Sequence, residues 1–260
     1  MEELSSTGAA FVDQLNEASG RLRLAPLLIL AALALFFLTP LYVGIPAAAA
    51  AAPAVTWLWQ RDDARKTVVA YYEPGTEPAW LMAIAKTLNG PDLPLRSWRI
   101  NAAGSTETTH QWKVNAGATK VISRQRLSYG VKGPRVLDAN VPVPTLTAGR
   151  KALHFLPDRL LVRDGKRFSD VALETIAVDF SPQRFIEEGT VPRDAQRVGT
   201  TWRFVNVNGT PDRRFNNNRQ LPIMLYGRLT LFTSEGLNWI VDFSRPNFAS
   251  ELARLIQEAR

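Results

Sequence analysis

Residues 24–60 read LAPLLILAALALFFLTPLYVGIPAAAAAAPAVTWLWQ, and nothing from Leu24 to Trp59 carries a formal charge. One straight helix over that run would be about 54 Å long at ~1.5 Å per residue, well past the ~30 Å hydrocarbon slab of a bilayer. Pro40, Gly44 and Pro46 fall near its middle, where proline removes backbone donors and glycine permits a sharp turn, so the run is expected to break into two helices. Arg21 and Arg23 flank one end, and Arg61, Arg65 and Lys66 flank the other. Cationic flanks stay on the cytoplasmic side, and Trp57 and Trp59 lie where an interfacial aromatic belt falls. The expectation is an N-terminal transmembrane helical hairpin.

Two other readings stay open. The alanine-rich half adds little apolar bulk, which allows one span with an interfacial remainder. Arg21 and Arg23 before a short apolar core, with A-x-A options among Ala47 to Ala52, also fit a secretory signal. Against cleavage, the preceding segment is long and acidic, and its Phe11, Leu15, Ala18 and Leu22 recur at helical spacing.

The chain has 260 residues, enough for one principal core plus accessory segments. Its formal charge is +7; Glu2, Glu3, Asp13 and Glu17 put −4 on the first 20 residues and leave +11 on the remainder. Such a body is drawn to anionic headgroups or to nucleic acid, and charge alone does not choose between them. Without cysteine there is no disulfide, thiolate nucleophile or Cys-ligated metal.

Behind the apolar run, TVVAYYE suggests a strand and EPAWLMAIAKTLNG a helix, with Trp80, Ile84 and Leu88 on one face and Asn89-Gly90 closing it. SWRI, HQWKV, TKVIS and RLSY are short β-favouring runs, and VLDANVPVPTL is extended. ALHFL, RLLVR, IAVDF, TWRFV, LPIMLYGRLTLF and LNWIVDF follow as candidate strands. In the last, Leu237, Trp239, Val241 and Phe243 alternate with polar residues, as in a half-buried antiparallel strand. The chain closes on an amphipathic helix with Phe248, Leu252, Leu255 and Ile256 on one stripe and Ser244 or Asn247 as cap.

This strand order ending in a helix resembles a pleckstrin-homology-like (PH-like) domain, most specifically over ALHFLPDRLLVRDGKRFSDVALETIAVDF. Residues 185–220 are longer and more polar than that fold needs. A second resemblance covers the whole chain: NAGA at 115–118, NVPVPTL, FLPDRLLV, PDRRFNNNRQLPIMLYG and SEGLN are similar to a family of uncharacterised bacterial two-span membrane proteins. It implies bacterial origin and membrane topology, and no activity.

Asn206 to Gly227, NVNGTPDRRFNNNRQLPIMLYG, is the most polar connection. Arg213, Arg214 and Arg219, with Asp212, Asn216, Asn217 and Asn218, are the candidate ligand site, since guanidinium forks grip phosphate or carboxylate. The competing reading pairs Asp212 with an arginine and spends the asparagines on the loop's own backbone. Pro157-Asp158 and Asp164-Gly165-Lys166 imitate a metal nuclease pattern, but Asp164-Gly165 reads first as a hairpin turn. His110 and His154 lack metal-ligand spacing. No catalytic residue, metal site or cofactor is expected.

The sequence therefore divides as a cytoplasmic amphipathic segment (1–23), a transmembrane hairpin (24–60), an α+β membrane-proximal region (61–149) and a PH-like β domain with a C-terminal helix (150–260). The expected address is the bacterial inner membrane, with two spans and both termini cytoplasmic. The expected role is a binding or scaffold module. The partners would be the lipid bilayer and an anionic lipid or an unidentified protein rather than nucleic acid. The alternatives are an anionic-headgroup or anionic-ligand sensor and, behind it, a nuclease-like enzyme.

Overall fold

The computed structural model describes residues 2–20, 24–38, 40–63, 67–69, 75, 77–105 and 120–260. Arg21, Arg23, Arg65, Lys66 and His110, the HQWKV strand, the NAGA segment and most of TVVAYYE lie outside them.

The apolar run does break, giving α2 (Leu24–Leu38) and α3 (Leu41–Asp63), with Pro40 directly before the second, and the two helices pack against each other. It does not make a transmembrane hairpin. Among the described residues no helix is long and apolar enough to cross a membrane. The 15 residues of α2 reach only about 22 Å at ~1.5 Å each. α3 has the length, but Pro46 and Pro53 interrupt it, alanine fills its middle, and it runs into Arg61, Asp62 and Asp63. The inner-membrane address with two spans and cytoplasmic termini, and the membrane character inferred with it, fall with the hairpin. Trp57 and Trp59 are exposed, and Arg61 stacks over the Trp57 ring at 5.6 Å.

Two antiparallel sheets dominate, making the chain an α+β fold. The larger one orders its strands β10 (Ala177–Ile186), β12 (Gln220–Phe232), β13 (Asn238–Phe243), β2 (Ser97–Ser105) and β3 (Lys120–Arg126), with β11 (Gln196–Trp202) also pairing β12. The smaller is β4 (Ser128–Gly130), β6 (Thr145–Ala148), β7 (Lys151–Phe155), β8 (Arg159–Asp164) and β9 (Arg167–Ala172). A short parallel pair, β1 (Thr67–Val69) with β5 (Leu137–Ala139), stands apart. Strands from both sides of residue 150 build each main sheet. A single bent sheet over 150–260, as the PH-like resemblance implies, is therefore not what forms.

The core lies between the sheets, where side chains two apart on each strand meet. Leu229, Leu231, Trp239, Val241 and Phe243 from one sheet join Leu146, Leu153, Phe155 and Leu160 from the other. At roughly 1.5–3 kcal/mol for each large apolar side chain buried, this interface dominates the favourable side of folding. α4 (Ala79–Leu88) adds Leu81, Ile84 and Leu88, and the C-terminal helix α5 (Pro246–Gln257) adds Phe248, Leu252, Leu255 and Ile256. Ser244 is not the cap of α5; Arg245 stands at that position, and the Ser244 hydroxyl donates to Asp194. α5 lies close on β12 because Gly227 has no side chain: a Cβ there would stand 2.6 Å from the Ala249 Cβ and 2.7 Å from the Pro246 Cα.

The outer face of the smaller sheet is covered by α1 (Glu2–Gly20), whose Val12 and Leu15 join Val143, Leu156, Leu161 and Phe168. Asn16 locks the helix there, accepting from the Phe168 amide at 2.7 Å and donating to its carbonyl at 3.0 Å. The acidic N-terminal segment is thus part of the fold's packing.

Candidate binding site

The loop between β11 and β12 uses its polar groups internally. Asp212 is buried, and Arg214 Nε donates to its Oδ1 at 2.9 Å. Asn218 pairs with Phe204 as a strand neighbour would, accepting from its amide at 3.0 Å and donating to its carbonyl at 2.7 Å. Phe204 and Phe215 stack with centroids 4.0 Å apart. Asn206 donates to Thr210 and to the Pro211 carbonyl. Arg219 reaches away, to the Glu188 carbonyl at 3.1 Å. Arg213, Asn216 and Asn217 are exposed and make no side-chain hydrogen bond among the described residues. The three arginines do not converge on a common point; one is spent on Asp212, one on a backbone carbonyl, one on none.

Asp158 and Asp164 sit at opposite ends of β8, about 20 Å apart at ~3.3 Å per residue. Asp158 pairs with Arg159 at 2.8 Å and Asp164 with Lys151 at 3.2 Å. Gly165, at φ 65°, makes the turn that joins Asp164 to Arg167 across the hairpin. No group of three metal-ligating side chains occurs among the described residues. His154 is buried, with Nδ1 2.9 Å from the Thr145 hydroxyl and Nε2 unpartnered. Burial, then the Arg163 charge, lowers its pKa to about 3, which keeps it neutral.

A cluster outside these segments has the geometry of a site. Alternation along β2 puts Trp98 on the face of the larger sheet that points away from the core, directly opposite Arg126 of β3. Arg124, two residues earlier, shares that face. Its guanidinium lies between two rings, 4.5 Å from the Trp98 centroid and 4.2 Å from that of Phe185. Glu187 accepts from both terminal nitrogens at 3.0 and 2.9 Å, and the Tyr226 hydroxyl donates to Glu187 at 2.9 Å. Burial alone would raise the Glu187 pKa. The Arg124 hydrogen bonds and charge, the Tyr226 hydroxyl and the Gly189 amide together outweigh it and hold the carboxyl below its ordinary value.

Beside this staple a cavity of about 380 Å³ is lined by Arg96, Ser97, Trp98, Arg124 and Arg126. Arg124 has its carboxylate; Arg96 and Arg126 are exposed and carry no ion pair among the described residues. The wall next to Arg96 is fixed by Asp194, whose Oδ2 accepts from the Leu95 amide and the Ser244 hydroxyl, each at 2.8 Å. The cavity thus presents an aromatic floor edge and two unneutralised guanidinium forks, a donor set for phosphate or carboxylate oxygens. Sequence reasoning passed over it. The signal was the RQR spacing at 124–126, which puts two arginines on one face of a strand, but nothing local says that Trp98 and Glu187 join them.

No family model, curated protein or solved structure matches this chain.

Proposed function

We propose that the chain is a binding module for an anionic ligand, held through phosphate or carboxylate oxygens by Arg96 and Arg126 beside Trp98. The observation that carries this reading is the convergence of three arginines on one cavity where only one has a carboxylate partner. Arg124 is committed to Glu187 and supplies rigidity and positive potential; the other two supply exchangeable donors. Nothing in the arrangement offers a nucleophile with an adjacent base, so binding and not turnover is the role it supports.

Calorimetric titration of the full chain with pyrophosphate and with citrate tests the proposal. Binding is expected to be saturable, to weaken steeply with salt, and to drop about tenfold or more in an Arg96→Ala/Arg126→Ala double variant. Vesicles with and without phosphatidylglycerol separate a lipid headgroup from a free anion as the source of the charge. Equal affinity in the double variant and the parent chain would overturn the assignment.

A further inference from the structure

Arg99 occupies the opposite face of the same strand. It pairs in register with Val241 and therefore points between the two sheets. Its guanidinium lies 4.8 Å from the Trp239 ring centroid. Nη1 donates to Asn101 Oδ1 at 2.7 Å, an acceptor brought within reach at the bulge where the β2–β3 register shifts between Ile100 and Ala102. Nε is buried and has no acceptor, and Nη2 has none among the described residues. The edge formed by Nε and Nη2, the side of the fork that takes two oxygens at once, is left open.

A cleft of about 320 Å³ opens at this point between the sheets. Arg99 and Trp239 line it from the larger sheet, Lys151, Val162 and Val171 from the smaller, and Leu237 from the turn joining β12 to β13. Of the carboxylates that line the cleft, Asp164 pairs with Lys151 at 3.2 Å and Asp170 with Arg159 at 3.0 Å, while Glu235 sits exposed on the turn between β12 and β13 and makes no ion pair among the described residues. Burial lowers the Arg99 pKa despite the opposing charge of Asp164, as expected of a cation with no carboxylate of its own. A buried donor without an acceptor is destabilising unless something supplies one.

We infer that this cleft is a second ligand site, taking a small organic carboxylate with an apolar tail. The planar O–C–O group matches the open guanidinium edge in shape and charge. Val162, Val171 and Leu237 give the tail apolar surface, which a free phosphate would not use. The site shares no lining residue with the outer cavity and stands whether or not that cavity binds anions.

Hexanoate, titrated into the full chain and followed through the Trp239 indole N–H resonance, is the probe. The expected result is a saturable shift, absent with hexanol, which has the same tail without the charge. Arg99→Gln is expected to weaken binding about tenfold or more, and Arg99→Lys to fall between, since it keeps the charge but loses the bidentate edge. The Arg96→Ala/Arg126→Ala variant should bind hexanoate as the parent does, which separates this site from the outer one. An unmoved Trp239 signal, an equal response to hexanol, or full affinity in Arg99→Gln would each overturn the inference. The hexanoate and hexanol comparison decides it even if the Arg99 variants fail to fold.

Discussion

Arg124 and Arg99 lie on adjacent strands, face opposite sides of one sheet, and each stacks on a tryptophan, at 4.5 Å and 4.8 Å respectively. What differs is the carboxylate. Arg124 is gripped by Glu187 and completed by Tyr226, whereas Arg99 has one amide oxygen and an open edge. The same side chain on the same kind of ring is a staple in one place and a vacant donor in the other. Satisfaction of hydrogen bonds, and not residue type, separates a structural arginine from one able to receive a ligand.

The strongest way to break this contrast is Glu187→Ala, which turns Arg124 into a guanidinium as unpaired as Arg99 and strips the Tyr226 hydroxyl of its acceptor. A loss of about 3–5 kcal/mol is expected in urea unfolding, the range for removing one partner of a buried pair. In the parent chain the Glu187 contribution is fully present above the unfolded carboxyl pKa. It is lost as pH falls through the lower folded value, because the unfolded state binds the proton first.

His154 sharpens the contrast as a second buried group with an unpartnered nitrogen. Its folded pKa of about 3 lies below the ordinary histidine value of 6.5, so the unfolded chain takes up a proton that the native chain refuses. Stability therefore falls as pH drops from 6.5 toward 3. Between pH 7 and pH 5 the loss attributable to this group is about 2 kcal/mol, and His154→Gln should remove that part of the slope in urea midpoints. An unchanged slope would mean that His154 protonates in the folded state. The smallest effect is expected for Arg99→Leu, within about 1 kcal/mol of the parent or slightly stabilising, since it gives up only an exposed hydrogen bond to Asn101 and the contact with Trp239 while removing a buried donor that has no acceptor. A loss comparable to Glu187→Ala would show that Arg99 is a staple after all.

Much of the β-rich architecture was legible because period two is written locally. LNWIVDF became β13 with Trp239, Val241 and Phe243 buried, and the stripe of Phe248, Leu252, Leu255 and Ile256 became the inner face of α5. In the loop after β11 Asp212 pairs with Arg214 and Asn218 bonds the Phe204 backbone, while Asn216 and Asn217 make no side-chain hydrogen bond among the described residues. The apolar run misled, because absence of charge over 24–59 looks the same whether the helices are long enough to span a bilayer or, as here, one ends at Leu38 after 15 residues and the other is diluted with alanine and proline. Sheet membership was also hidden. Nothing near Ser97 says that β2 will sit between β13 and β3, more than a hundred residues from the first of these.

The sequence by itself determined which residues turn inward on each strand and helix, since side-chain direction follows from backbone period and apolar spacing alone. Only the tertiary structure decided which arginines are neutralised, because Glu187 reaches Arg124 from 63 positions away while Asp164 and Asp170 pair with Lys151 and Arg159 and not with Arg99. Charge pairing is a matter of distance in space, and a chain folded into two sheets sets those distances by strand order, which no local stretch encodes.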